Sequence, residues 1–283
     1  MTSRPEPALH LVATPIGAAR DITLRALDIL READVLAAED TRTLRHLMEI
    51  HGIPLAGRTV LPYHDHNGPQ MRPKLMAALA AGQSVAYASD AGTPLVADPG
   101  FQLARAAIAQ GHVVRAAPGA SAVLAALSVA GLPTDRFMFA GFAPQKQAAR
   151  RAFLEDLAQV PATLVFYESP RRLAAMLEDM SATLGGGREV AICRELTKRF
   201  EEVRRGVLET LAVAARDMPA PKGEIVIVVG PPTENGPAPE NIDDMLRKAL
   251  AQHRLRDAAD AVARATGLPR KDVYRRALEL KDD

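Results

Sequence analysis

The chain has 283 residues, 35 Lys and Arg against 34 Asp and Glu, and a formal net charge of +1, so it is no polycation and any nucleic-acid footprint must be a local patch. Tryptophan is absent and only four Tyr and seven Phe occur, which argues against a surface built on base stacking. A single cysteine, Cys193, permits no intrachain disulfide and suits a reducing cytoplasm.

The length allows about two domains. Residues 1–7 read as a disordered tail. A strand at 10–13 runs into the turn Thr14-Pro15-Ile16-Gly17, and Asp21 is placed to cap a helix over 22–32. A second strand at 35–38 ends in Glu39-Asp40-Thr41-Arg42, followed by a helix over 41–51. A strand near 59–62 precedes Tyr63-His64-Asp65-His66-Asn67-Gly68 and a helix over 69–81. The stretch 85–100, VAYASDAGTPLVADPG, then begins as a strand buried on both faces and breaks into two turns, Ser89 to Pro94 and Asp98 to Gly100. Gly and Pro there let a ligand approach the main chain; the same residues also serve an ordinary strand-to-helix turn. A helix over 101–110, a strand over 112–116 and the turn 118–121 complete a strand-helix alternation, which implies a mostly parallel sheet.

Ser121 is placed to cap a helix over 122–130. The uncharged stretch 116–132 is broken by Pro118 and Gly119, so it is a loop and a buried helix, and no segment is expected to span a membrane. A second α/β segment follows, with strands at 137–141, 163–167, 189–194, 200–206 and 225–229 and helices over 171–184 and 208–215. The stretch 144–159 is distinguished by Lys146, Arg150 and Arg151. Residues 230–239 are a Pro- and Gly-rich linker. Beyond it, three helices (241–252 capped by Asn241, 255–266, 270–280) have a helix-turn-helix layout, with Leu255, Ala259, Val262, Val273, Ala277 and Leu278 inward. From Arg247 onward ten Lys and Arg stand against six Asp and Glu, an excess that fits either a solvated face or contact with phosphates. The expected domains are 1–118, 119–231 and 240–283.

No GxGxxG follows the first strand and no Walker A motif occurs. His64-Asp65-His66 is the only metal-like spacing, and Asn67-Gly68 turn it away from a strand, so no metal is expected. What remains is a set of strand-end loops, which together would form a cleft of small groups with scattered carboxylates, suited to a compact cationic ligand.

These motifs carry a resemblance. ATPIGAARDITLRAL (13–27), ADVLAAEDTR (33–42), YHDHN (63–67), VAYASDAGTPLVADPG (85–100), PGASA (118–122), AGLPTDRF (130–137), FYESPRRL (166–173), RELTK (194–198) and KGEIVIVV (222–229) resemble the tetrapyrrole-methylase (class III) superfamily of S-adenosyl-L-methionine-dependent methyltransferases. Within it the chain is similar to the bacterial enzymes that methylate a cytidine 2'-hydroxyl of small-subunit (16S) ribosomal RNA. The likeness covers 9–280. It implies two α/β domains with the cofactor in the cleft between them, a homodimer, and S-adenosyl-L-methionine held by Pro15, Gly92, Thr93, Pro94, Leu95, Val96, Ser121, Ala122, Tyr167, Lys222, Gly223 and Glu224. Ala18-Ala19 and Ala120 depart from the family's usual residues.

A ribose hydroxyl needs a proton acceptor or a nearby positive charge to attack a methyl group. The candidates are Asp40, His64 and Asp90 as acceptors and Arg42 as an orienting group; Asp40 and Arg42 are equally suited to a local ion pair. Two other functions fit the sequence. One is a methyltransferase of the same fold acting on a tetrapyrrole precursor, against which the basic tail argues. The other is a ligand-sensing helix-turn-helix nucleic-acid binder without turnover.

Overall fold

The computed structural model describes residues 5–282, apart from 65, 97, 99, 233–238, 252 and 267. The chain divides into two compact units, Met1–Pro231 and Pro232–Asp283, and both α/β halves expected from sequence lie within the first.

The first sheet contains β1 (Leu9–Val12), β2 (Val35–Ala38), β3 (Val60–Pro62), β4 (Val85–Ala88) and β5 (Val114–Ala117) in the order β3-β2-β4-β1-β5, all parallel. Five helices alternate with its strands: α1 (Leu24–Glu32), α2 (Thr41–Ile50), α3 (Gly68–Ala80), α4 (Gly100–Ala109) and α5 (Ala122–Ala130), the last leading to the second sheet. β4 is central and fully buried, so its alternating side chains serve two cores. Ala86 and Ala88 pack with α1 and α2, while Val85 and Tyr87 pack with α3 and α4. Small residues on one face bring those helices close; Tyr87 on the other fills a wider space and meets Tyr63 edge-on at 5.7 Å.

The register decides where the loops go. Ala88 pairs with both Val12 and Ala38, Val12 with Ala117, and Ala38 with Pro62. All five carboxyl ends are therefore level, and the loops after them emerge side by side.

The second sheet holds β6 (Phe137–Phe142), β7 (Thr163–Glu168), β8 (Glu189–Arg194), β9 (Glu202–Val207) and β10 (Ile225–Val229), ordered β6-β7-β10-β8-β9. Only β6 and β7 are parallel; the other pairs are antiparallel. Ile225, Ile227 and Val229 of β10 face a core made with α6 (Gln147–Leu157), α7 (Leu173–Leu184) and α8 (Leu208–Arg216). Val226 and Val228 face α5 and join Ile16 from the first half in a shared apolar layer. Cys193 lies in that layer, where burial pushes its thiol up to about 11 and leaves it un-ionised at neutral pH.

Several local expectations change. Ala19–Asp21 forms a 3₁₀ turn of its own, so α1 starts later and Thr23, not Asp21, caps it by accepting from Ala26 N–H at 3.2 Å. Ser121 occupies the N-cap position of α5 without a side-chain capping bond. The basic stretch 144–159 contains a helix, α6, that the sequence reading did not delimit. It is fastened to α7 through the fully buried Asp179, which accepts from Arg150 Nε at 2.7 Å, Arg151 Nε at 2.7 Å and Gln147 Nε2 at 3.2 Å.

In the second unit α9 (Pro239–Leu250), α10 (Leu255–Thr266) and α11 (Arg270–Asp282) surround Leu246, Ala259, Val262, Val273 and Ala277. Asn241 falls inside α9 instead of capping it, and Leu278 is 41% exposed while Leu246 takes an inward place. The linker centre at 233–238, Asp65, Gln252 and Gly267 lie outside the described residues. Among those described, no helix is long and apolar enough to cross a membrane.

Candidate functional site

The loop after β4 is fixed to the loop after β1 by a two-way bridge. Thr14 N–H donates to the Gly92 carbonyl at 3.0 Å, and Gly92 N–H donates to the Thr14 carbonyl at 3.0 Å. Thr14 Oγ1 donates to the Ser89 carbonyl at 3.1 Å, and Ser89 Oγ to the Gly92 carbonyl at 2.8 Å. Thr93 Oγ1 donates to the Ala120 carbonyl at 2.9 Å, tying in the loop after β5. Gly92 has a φ of +82°, and a Cβ there would stand 3.3 Å from Ile16 Cγ2, so the close approach of the two loops depends on its missing side chain.

Across from this loop the second half contributes Tyr167, the Glu168-Ser169-Pro170 turn and the start of β10. Together they enclose a cavity of about 440 Å³, within the ~300–1,000 Å³ range of small-molecule sites. Its described lining residues include five carboxylates, Glu39, Asp90, Asp98, Glu168 and Glu224, and neither Lys nor Arg. Phe142 and Tyr167 form an aromatic wall on one side, their rings edge-on at 5.6 Å, and Phe139 backs Tyr167 edge-on at 4.8 Å from the apolar layer behind it. Asp98 Oδ1 accepts from Tyr87 OH at 2.9 Å and Gly100 N–H at 2.6 Å, whereas its buried Oδ2 has no hydrogen-bond partner among the described residues. Burial raises the Asp98 carboxyl above the usual range despite the lowering effect of the Gly100, Tyr87 and Leu95 donors.

A strained loop braces the far wall. Glu195 and Thr197 both have positive φ, +52° and +64°. Gly17 lies so close to this loop that a Cβ would come within 2.5 Å of Lys198 Cγ, and Ala18 N–H donates to Thr197 Oγ1 at 3.2 Å. Lys198 Nζ reaches Glu195 at 2.9 Å and Glu224 at 2.8 Å. The RELTK segment therefore connects the turn after β1 to a carboxylate of the cavity.

The structure sorts the residues singled out from sequence. Asp90, Gly92, Thr93, Val96, Ser121, Ala122, Tyr167, Gly223 and Glu224 line the cavity; Pro15, Pro94, Leu95 and Lys222 are not among its lining residues. Leu95 has a φ of +72° and turns back into the core beside Tyr87 and Leu103. Ile16 takes the wall position next to Pro15. Asp40, Arg42 and His64 also lie off the lining. Asp40 caps α2, accepting from Arg42 N–H at 2.8 Å and pairing with Arg42 Nη2 at 2.6 Å. These bonds from Arg42 lower the Asp40 carboxyl to about 2. The Asp40 N–H donates to Asp90 Oδ1 at 2.8 Å, so Asp90 joins the loops after β2 and β4. His64 and His66 stand edge-to-face with centroids 6.1 Å apart. Ile16, Asp98, Phe142 and Glu168 were missed as wall residues; Asp98 and Glu168 stood in quoted motifs but read only as turn and strand-end residues.

Level parallel strand ends, a glycine-dependent loop bridge and an acidic cavity shared with a second sheet define an α/β protein built to hold a compact cationic ligand. The chain belongs to the tetrapyrrole (corrin/porphyrin) methylase family, whose model matches residues 8–212, and it is a methyltransferase. The RsmI C-terminal HTH domain matches residues 236–281. The chain is 53% identical over 277 residues to Ribosomal RNA small subunit methyltransferase I of Mesorhizobium japonicum, covering 98% of this chain and 93% of that one. It is 48% identical over 275 residues to the protein of the same name from Erythrobacter litoralis, covering 97% and 96%. Among solved structures, uroporphyrin-III C-methyl transferase of Thermus thermophilus complexed with S-adenyl homocysteine has the same fold, with a TM-score of 0.53 and 22% identity over 78% of this chain and 96% of that one.

Proposed function

We propose that the protein, as a homodimer, transfers a methyl group from S-adenosyl-L-methionine to the ribose 2'-hydroxyl of a cytidine in 16S ribosomal RNA within the small subunit. The observation that carries this reading is the 53% identity, spanning both units, to a relative named for small-subunit ribosomal RNA methylation. The second unit agrees with an RNA substrate: Lys248, Arg254, Arg256 and Lys271 are exposed and have no ion pair among the described residues. Such cations neutralise phosphates without reading sequence.

The methyl donor is S-adenosyl-L-methionine, and the residues of the cavity fit it. A sulfonium and an ammonium are both cations, and the lining holds five carboxylates, of which Glu168 and Glu224 already pair with Arg172 at 3.2 Å and Lys198 at 2.8 Å. Asp98, a lining carboxylate with no ion pair among the described residues, suits the ammonium. The Gly92-Thr93 backbone would face the methionine part, and Tyr167, Ala122 and the Gly223-Glu224 turn would cover the adenosine. When bound, the donor supplies an electrophilic methyl group on a positively charged sulfur. The chain's part is to align the hydroxyl, exclude water and accept a proton. Of the three acceptors considered, only Asp90 lines the cavity; Asp40 is held ionised by Arg42 and is too weak a base for the task.

Incubation with labelled S-adenosyl-L-methionine and small subunits lacking the modification tests the reading. Label should appear in 16S ribosomal RNA as a 2'-O-methylcytidine, and label only in a tetrapyrrole would overturn it. In the same assay Asp90→Asn should lower turnover by about 10²- to 10⁴-fold while donor affinity is kept; wild-type turnover would remove Asp90 from the chemistry. Sedimentation of the free protein as a monomer would remove the dimer.

The raised Asp98 carboxyl gives donor binding a pH dependence. A cation binds its ionised form, so protons compete as the pH falls toward the raised value, above the ordinary ~3.9. Donor affinity measured by calorimetry should weaken as pH is lowered from 7.5 to 5. Asp98→Asn should bind more weakly and show a flat profile. A wild-type profile that is itself flat would place the ammonium elsewhere.

A further inference from the structure

A second cavity, of about 200 Å³, opens on the face of the second sheet covered by α7 and α8. It is smaller than the ~300–1,000 Å³ of a whole-ligand site. Its floor is apolar, with Leu173, Ile192 and Leu211 among the lining residues. Its cationic residues are all arginines, Arg171, Arg194, Arg204 and Arg216, against one carboxylate, Glu202. Glu202 is occupied, accepting from Arg194 Nε at 3.1 Å and Arg204 Nε at 2.6 Å. Arg216 is loosely placed 3.5 Å from Asp217, and Arg171 has no hydrogen bond or ion pair among the described residues. The first turn of α7 lies in the wall, and no side chain caps that helix, so its positive end adds to the same field.

Pro170 and Ile225 line both this cleft and the acidic donor cavity, so the two adjoin at that rim. An acidic donor cavity repels a polyanionic substrate. An RNA that delivers a ribose there needs cations close by to hold its backbone. A lone phosphate would need no apolar floor. A splayed nucleotide uses both parts, its base on the floor and its phosphate on guanidinium forks, which match phosphate geometry better than lysine does.

We propose that this arginine-rimmed cleft is a subsite for one nucleotide of the substrate RNA neighbouring the methylated one. The assignment rests on the RNA-methylating reading above. Arg171 and Arg216 hold the phosphate, while Arg194 and Arg204 are kept in place by Glu202.

The test is the double variant Arg171→Glu/Arg216→Glu, whose two positions are exposed. Methyl transfer to undermodified small subunits is followed with labelled S-adenosyl-L-methionine across a series of KCl concentrations. The KM for subunits should rise at least about tenfold, with kcat and donor affinity unchanged. The slope of log KM against log salt should become shallower by about 0.7–0.9 for each phosphate that is no longer neutralised. Arg171→Lys/Arg216→Lys should recover part of the loss, since the charge is retained and the guanidinium fork is not. If the wild type labels ribosomal RNA and the Glu variant keeps its KM and salt slope, the subsite is refuted and the functional reading stands. If the wild type transfers no label to ribosomal RNA, the functional reading falls and the subsite with it.

Discussion

Replacing Gly92 with valine should weaken S-adenosyl-L-methionine binding by about 10- to 100-fold and leave the protein folded. A residue with a Cβ at this φ of +82° carries a penalty of about 1–2 kcal/mol, and 1.4 kcal/mol corresponds to tenfold in affinity. The added Cβ also meets Ile16 Cγ2 at 3.3 Å, and Ile16 is itself part of the cavity wall. Relief of either strain must pull apart the Thr14–Gly92 bridge, the only isolated bridge among the described residues outside the sheets' strands. The loop would then present a different backbone to the ligand. Calorimetric titration with the donor, alongside a melting curve, checks this. Wild-type affinity in the variant would mean that the loop does not seat the donor.

Asp179→Ala should lower the stability of the α/β unit by about 3–5 kcal/mol, because it strands a buried charge. Asp179 is fully buried, and the Arg150 side chain that it pairs with at 2.6 Å is only 6% exposed. Without the carboxylate, Arg150 keeps one bond, to the Gln145 carbonyl at 3.1 Å. In a unit of this size the loss corresponds to a melting-temperature drop on the order of 10 °C. Arg150→Leu added to Asp179→Ala should recover much of it, since an apolar pair avoids the stranded charge. A drop of under about 2 °C in the single variant would show that water reaches Arg150. The carboxyl also has a pH signature. Burial works to raise it, but the hydrogen bonds from Arg151, Arg150 and Gln147 outweigh burial and hold it below the usual range. The pair's contribution is thus present above the unfolded carboxylate pKa of ~3.9 and is lost as pH falls through the lower folded value.

Much of the local structure was legible because it depends on local patterns. Most strands coincide with an apolar run, β9 with its Glu202, Arg204 and Arg205 being an exception, and the central ones, β4 and β10, are runs without a charge. Where local signals competed, the reading slipped. Asp21 and Thr23 both suit an N-cap; the 3₁₀ turn at Ala19–Asp21 consumed the first and left the second to α1. The helix α6 was obscured because Arg150, a surface residue type, is turned inward by a partner on another helix.

The site divides in the same way. By itself, the sequence determined that residues 85–100 form a buried strand opening into a turn of small residues, and its motifs identified the family. Only the tertiary structure decided which strand ends are neighbours, because the order β3-β2-β4-β1-β5 is set by pairing between segments distant in the chain. It also decided which way each loop side chain faces. Consecutive residues part company at Leu95 and Val96, one entering the core and the other the cavity, in a loop where Leu95 has a φ of +72° and no regular element sets the direction. Asp40 and Asp90 look alike in sequence as carboxylates just past strand ends. Folding gives Asp40 to the helix cap and Arg42, and leaves Asp90 on the cavity wall, because a carboxylate's role follows from the donors that reach it in space.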